Sequence, residues 1–259
     1  MNPTILQRKN LQNKLWKLVI PKSSNEIDWE LEEQRFSFYD ESCYNLQIAP
    51  DTTPSLYNLC QTVMLHLHVQ DNVRFFIDNR VRVAGSCIAS ANNIYPSIIR
   101  LSSGAVNTLT DNELTFLIGH ELGHVLMLDR LVRFYFHKQY KDKTPRLVNH
   151  LFHVFEMLTE LEADRYGYLA CNSLEDFVNY QYKMIGGLDR QKFGVPIETF
   201  LETNRQRVNL FLHGGWLGDR HPANALRIEA IRLFSSCQTY RELQAQMKPI
   251  IDSIMNCDD

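Results

Sequence analysis

The chain has 259 residues, 44% apolar and 22% charged, which describes an ordinary globular protein with room for one large domain and an appendage. A net charge of −3 excludes a generally basic surface for nucleic acid. Six scattered cysteines (Cys43, Cys60, Cys87, Cys171, Cys237 and Cys257) form no C-x-x-C pair and read as reduced thiols of a cytoplasmic protein rather than a disulfide frame.

Residues 1–50 read as an N-terminal extension. No basic stretch followed by a continuous apolar run marks a secretory signal there. Residues 5–19 show a rough helical apolar pattern with Arg8, Lys9, Lys14 and Lys17 and no acids. A short helix docked on its own domain fits this better than peripheral contact with an anionic membrane, though both readings stand. Glu26 to Glu41 then carries seven acids against Arg35 alone, and reads as a solvated linker in preference to the alternative, a latency segment that covers the cleft. Cys43 as a metal ligand in such a latent form is the weaker reading; a lone cysteine usually serves as a small apolar side chain.

Pro50 to Pro54 marks a boundary, and residues 51–259 read as one domain. Leu56, Leu59, Cys60, Val63, Met64 and Leu67 make a helical stripe, with His66 and His68 on its rim. Val73–Ile77, Val81–Ala84, Cys87–Ala89 and Ile98–Ser102 are predicted strands, separated by Asp78-Asn79 and Asn92-Asn93 turns. Ser97–Ser102 is also predicted to be a cleft edge, where an extended peptide would add itself by main-chain hydrogen bonds.

A helix follows Ser103-Gly104. Thr110-Asp111-Asn112-Glu113 reads as a capping box, and Leu114, Leu117, Ile118, Leu122, Val125 and Leu126 recur at helical spacing. Within it stands His120-Glu121-Leu122-Gly123-His124. Imidazoles four residues apart lie about 40° apart around a helix axis, so both reach one metal ion. Glu121 falls within about 100° of His120, placed to act as base toward a metal-bound water without ligating. The alternative is a surface helix that happens to carry these residues. The capping box and apolar stripe argue against it, as do Gly119 and Gly123, four apart on a face where a neighbouring backbone can pass.

A catalytic zinc usually takes three protein ligands. The third is sought 36 residues downstream, on a helix patterned by Leu147, Leu151, Val154, Phe155, Leu158 and Leu161. Glu160 is assigned to the metal. Asp164, one turn later on the same face, is assigned to the outer ring nitrogen of a ligating histidine, His120 in the first instance. Glu156 is the competitor as ligand, and a solvated acidic face of Glu156, Glu160, Glu162 and Asp164 is the bland alternative. Beyond a charged connection at 138–145, helices are predicted at 174–185, 196–212, 222–234 (opened by Pro222) and 239–255. The class is α+β, a small twisted sheet on a mainly helical body.

His120-Glu-Leu-Gly-His124 followed by Glu160-x-x-Ala163-Asp164 resembles the gluzincin metallopeptidases, and among them the HtpX and CAAX prenyl endopeptidase family. Tyr95-Pro96-Ser97-Ile98-Ile99-Arg100-Leu101-Ser102-Ser103-Gly104 resembles the strand and turn before that family's zinc helix. His221-Pro222, with Arg227 six residues on, resembles its late His-Pro…Arg signature. The likeness covers about residues 55–235. It implies a zincin-like domain holding one Zn2+, Glu121 as general base and acid, and His221 and Arg227 holding the tetrahedral oxyanion. Two features depart from it. Many members span membranes, whereas Thr115 to Phe136 is interrupted by His120, Glu121, His124, Asp129, Arg130 and Arg133, and a span needs about 20 apolar residues. Arg220 precedes His221 where a small polar residue is usual. The expected function is a zinc endopeptidase acting on peptide or protein substrates. The alternatives are a catalytically silent metal-binding interaction protein and a zinc hydrolase of non-peptide amides.

Overall fold

The computed structural model describes residues 10–12, 14, 38–90, 95–140, 144–214 and 222–245. Four strands form one mixed sheet in the order β1-β2-β4-β3: β1 Leu46–Gln47, β2 Val73–Asp78, β3 Gly85–Ile88 and β4 Ser97–Ser102. β2 and β4 are parallel, in register from Val73↔Ser97 to Asp78↔Ser102. β3 runs antiparallel to β4, from Gly85↔Leu101 to Ile88↔Ile98. β4 is therefore interior, and the expectation of an edge at Ser97–Ser102 is corrected: among the described residues the edge on this side is β3. The physical reason is visible in β4 itself. Ile98, Ile99 and Leu101 are all buried, as in a strand covered on both faces, where alternation no longer marks an exposed side.

The expected strand at Val81–Ala84 is a loop. Asp78 accepts from the Arg80 backbone N–H at 3.0 Å and from its guanidinium, which turns the chain out of β2. Ser102 Oγ donates to the Arg82 carbonyl at 2.6 Å and accepts from the Ala84 N–H at 3.0 Å, while the Gly104 N–H donates to the Arg80 carbonyl at 2.9 Å. These bonds use the backbone groups that a strand would have paired. A Cβ on Gly104 would collide with the Val81 carbonyl, so the loop requires glycine there.

Helices follow as α1 Pro54–His66, α2 Ser103–Thr108, α3 Asp111–Met127, α4 Asp129–Tyr140, α5 Arg146–Cys171, α6 Leu174–Gly186, α7 Ile197–Gly214 and α8 Asn224–Ser236. Helical turns also occur at 38–44 and 238–245. The short α2, capped by Ser102 Oγ accepting from the Ala105 N–H at 3.0 Å, intervenes where the histidine helix was expected to begin at once. Pro222 lies before α8 rather than in its first turn.

α3 starts at the expected capping box. Glu113 accepts from the Thr110 N–H at 2.8 Å, and Thr110 Oγ1 from the Glu113 N–H at 3.3 Å. Glu113 also binds Lys183 Nζ at 2.7 Å, so the cap glutamate ties α6 to the start of α3. The apolar residues of α3 are buried on nearly every side, against the sheet, α1, α5 and α6, which makes α3 the centre of the main core rather than a helix with one wet face. A second cluster joins α4 to the first half of α5, with Phe136 and Phe152 stacked at 3.8 Å.

The end of the acidic run is no linker. Glu41 is buried and pairs with Arg100 of β4 at 3.2 Å, and the Ile48 N–H donates to the Phe75 carbonyl at 2.9 Å. Leu11 packs on the second cluster, and Gln12 Nε2 donates to the Met127 carbonyl at 3.0 Å. The remaining expectations for residues 5–19 and 26–37 lie outside the described residues. No helix among the described residues is long and apolar enough to cross a membrane.

Candidate metal centre

α3 brings the His120 and His124 rings together edge to face, centroids 4.8 Å apart, with their Nε2 atoms 3.2 Å apart. α5 crosses beside them and sets Glu160 carboxylate oxygens 3.5 Å from His120 Nε2 and 3.6 Å from His124 Nε2. The three ligand-type atoms lie within 4.8 Å of one another, and all three residues are buried.

Each outer ring nitrogen meets a carboxylate. His120 Nδ1 is 3.0 Å from Asp164 Oδ1, and His124 Nδ1 is 3.1 Å from Asp129 Oδ1. A carboxylate only accepts, so each Nδ1 carries the proton and donates. The two Nε2 atoms then face each other 3.2 Å apart beside the Glu160 carboxylate, where either a proton or a metal ion must sit among them. Such a donor set calls for a cation. The electrostatics agree: burial by itself lowers the His120 imidazole, yet the Asp164 and Glu160 carboxylates outweigh it and raise it to about 9. The donor chemistry, two imidazole nitrogens and a carboxylate oxygen, fits zinc.

A further layer holds the carboxylates. Arg227 donates from Nε to Asp164 Oδ2 at 2.7 Å and from Nη2 to Oδ1 at 2.5 Å, all within the core. Burial alone would raise the Asp164 carboxyl; Arg227 and His120 overcome it and hold it below the usual carboxylate range. Arg130 reaches Glu160 at 3.6 Å and Asp129 at 3.9 Å, one cation shared by two site carboxylates.

A cleft of about 410 Å³ opens on the centre, lined by Gly85 of β3, His120 and Glu121 of α3, Glu160 of α5, Tyr180 of α6 and Arg227 of α8. Glu121 is buried, and its Oε2 has no hydrogen-bond partner among the described residues. An unpartnered carboxylate oxygen is costly to bury, and this one is sealed from solvent in a residue that lines the cleft, so it lacks a partner that the described residues do not supply. Gly85 leaves it space: a Cβ there would stand 2.6 Å from Glu121 Oε1.

The residues expected from sequence fall as follows. His120, His124, Glu160 and Asp164 converge, with Glu121 beside them. Glu156 is a turn away, on Arg133 at 2.8 Å, and is not in the cluster. Glu156, Glu160, Glu162 and Asp164 are all buried, so the solvated-face alternative does not hold. His221 lies outside the described residues. Arg227 differs from its expected contact: it borders the cleft, but Nε and Nη2 are engaged on Asp164, so it acts on the centre through Asp164 and His120. Sequence reasoning missed Asp129, Arg130, Gly85 and Tyr180. Asp129 is five residues past His124, off the helical register. It reaches the ring because Leu128 takes a left-handed conformation (φ 52°) between α3 and α4, at a residue type that gives no sign of it.

The family model of Peptidase family M48 matches residues 89–152, from the end of β3 through β4 and α3 into the first turns of α5. The match supports a zincin-type metallopeptidase. No curated protein matches the chain.

Proposed function

We propose that the protein is a zinc-dependent endopeptidase holding one Zn2+ on His120, His124 and Glu160. The observation that carries this reading is the pair of Nε2 atoms 3.2 Å apart, each imidazole fixed by a carboxylate on its other nitrogen, with Glu160 alongside and the unpartnered carboxylate of Glu121 in the lining of the same cleft. Bound zinc supplies a Lewis acid for the scissile carbonyl and brings a water's pKa to near 7.

The chain's own residues do the rest. Glu121 takes a proton from the attacking water and returns it to the leaving amine nitrogen. Asp164 and Asp129 fix the tautomer and angle of the two imidazoles, and Arg227 keeps Asp164 ionised and in place. The free side of β3 offers main-chain groups to an extended peptide, so affinity comes with little demand on substrate sequence. Peptide or protein is thus the substrate class, and neither nucleic acid nor a membrane is required.

Glu121→Gln tests the reading against a silent metal-binding protein. The variant should keep wild-type zinc content while cleavage of an unfolded protein substrate falls on the order of 100-fold or more. A chelator should abolish wild-type cleavage. Chelator-resistant cleavage, or full activity in the variant, would remove Glu121 and zinc from the mechanism. Hydrolysis of small non-peptide amides without protein cleavage would favour the other hydrolase.

A further inference from the structure

Tyr180 is the one cleft-lining residue named above to which no role has yet been given. It is buried to 4% exposure on α6, and its hydroxyl has no hydrogen-bond partner among the described residues. The residue lines the cleft together with His120, Glu121 and Glu160. A phenol buried without a partner is normally disfavoured; one that borders a reaction site is a donor in reserve.

The ring is firmly held. It packs on Phe116 at 4.8 Å, and Phe116 in turn stacks on His120 at 6.4 Å. α6 is pinned to the start of α3 through Lys183, whose ammonium binds Glu113 at 2.7 Å and the Thr108 carbonyl at 3.2 Å. A donor fixed in this way meets a developing charge without reorganising. Burial pushes its phenol up, with Asp164, Glu121 and Glu160 adding to the rise against Arg227, so it keeps its proton at neutral pH.

We propose that Tyr180 is a catalytic residue, its hydroxyl donating a hydrogen bond to the oxyanion formed from the scissile carbonyl. The inference rests on the peptidase reading. The water oxygen bonds to the carbonyl carbon, the C–O π pair moves onto the carbonyl oxygen, and Glu121 holds the water's proton. When the C–N bond breaks, that pair returns and the proton goes to the amine nitrogen. Tyr180 donates throughout and is never deprotonated. Arg227 is less free for this task, with two of its nitrogens engaged on Asp164.

Tyr180→Phe removes only the hydroxyl. Against a peptide substrate, kcat should fall about 100-fold with KM within about threefold of wild type. Affinity for a phosphinic pseudopeptide, which imitates the tetrahedral geometry, should fall by the same factor as kcat/KM. Zinc content and affinity for a cleavage-product peptide should be unchanged. Wild-type kcat in Tyr180→Phe would overturn the proposal, as would a loss that tracks zinc content or product affinity. So would a loss in Asn224→Ala, another polar position on the cleft, with none in Tyr180→Phe. If the wild-type protein neither cleaves peptides nor binds the phosphinic compound, the peptidase reading itself falls. If it does both and the phenylalanine variant matches it, only Tyr180 is wrong.

Discussion

The role proposed for Glu121 requires that its carboxylate have both space and direction, and Gly85 provides the space. A methyl group there would meet Glu121 Oε1 at 2.6 Å and Leu117 Cδ1 at 2.9 Å, closer than real Cβ contacts. Gly85→Ala should therefore swing the carboxylate aside without touching His120, His124 or Glu160. The expected result is unchanged zinc content with turnover reduced tenfold or more, by the order-of-magnitude cost of a reacting group displaced by about 1 Å. Metal analysis and single-substrate kinetics check it together. Loss of zinc in step with activity would mean that Gly85 supports the fold of the centre rather than the position of Glu121. Nothing in the sequence around Gly85 marks this role, because the contact joins β3 to α3 across 36 positions and a glycine in a short strand has many ordinary explanations.

The centre depends on how closely α3 and α5 approach, since His120 and His124 come from one and Glu160 and Asp164 from the other. Three glycines set that distance. A Cβ on Gly119 would stand 2.8 Å from Ala170 Cβ and 3.1 Å from Gly167 Cα, one on Gly123 would meet the Tyr166 ring at 2.9 Å, and one on Gly167 would meet the Phe116 carbonyl at 2.7 Å. Gly119→Ala should cost about 1–3 kcal/mol through overpacking, read by denaturant unfolding, and should weaken zinc binding because the helices part. A variant of wild-type stability and zinc affinity would show that the crossing is not tightly fixed. This contact is legible in the sequence: two glycines four apart, Gly119 just before the motif and Gly123 within it, announce a passing backbone. The capping box and the long α5 were legible for the same reason, since each is written in local spacing. The strand at Val81–Ala84 was misread because alternation cannot distinguish a strand from a loop whose hydrogen bonds go to Ser102 and Gly104. β4 was misplaced at the edge because strand order is set by partners distant in sequence.

At the scale of the whole molecule, a small mixed sheet and α6 flank one buried helix, and the end of the acidic run is drawn into the sheet by Glu41 and Arg100. Of the centre, the residues tied by helical periodicity were legible: His120, Glu121 and His124 on one element, Glu160 and Asp164 on another. Those that arrive by tertiary approach were not. Asp129 needs the left-handed turn at Leu128, Tyr180 needs α6 to pack on Phe116, and Arg227 was found by likeness without its bond to Asp164. Anomalous scattering at the zinc absorption edge, from a crystal grown with zinc present, bears most directly on whether one metal ion organises all of this. The expected map has a single strong peak per chain, with His120 Nε2, His124 Nε2 and a Glu160 oxygen each about 2.0–2.2 Å away. No peak there, or a peak held by other side chains while these three stay apart, would contradict it.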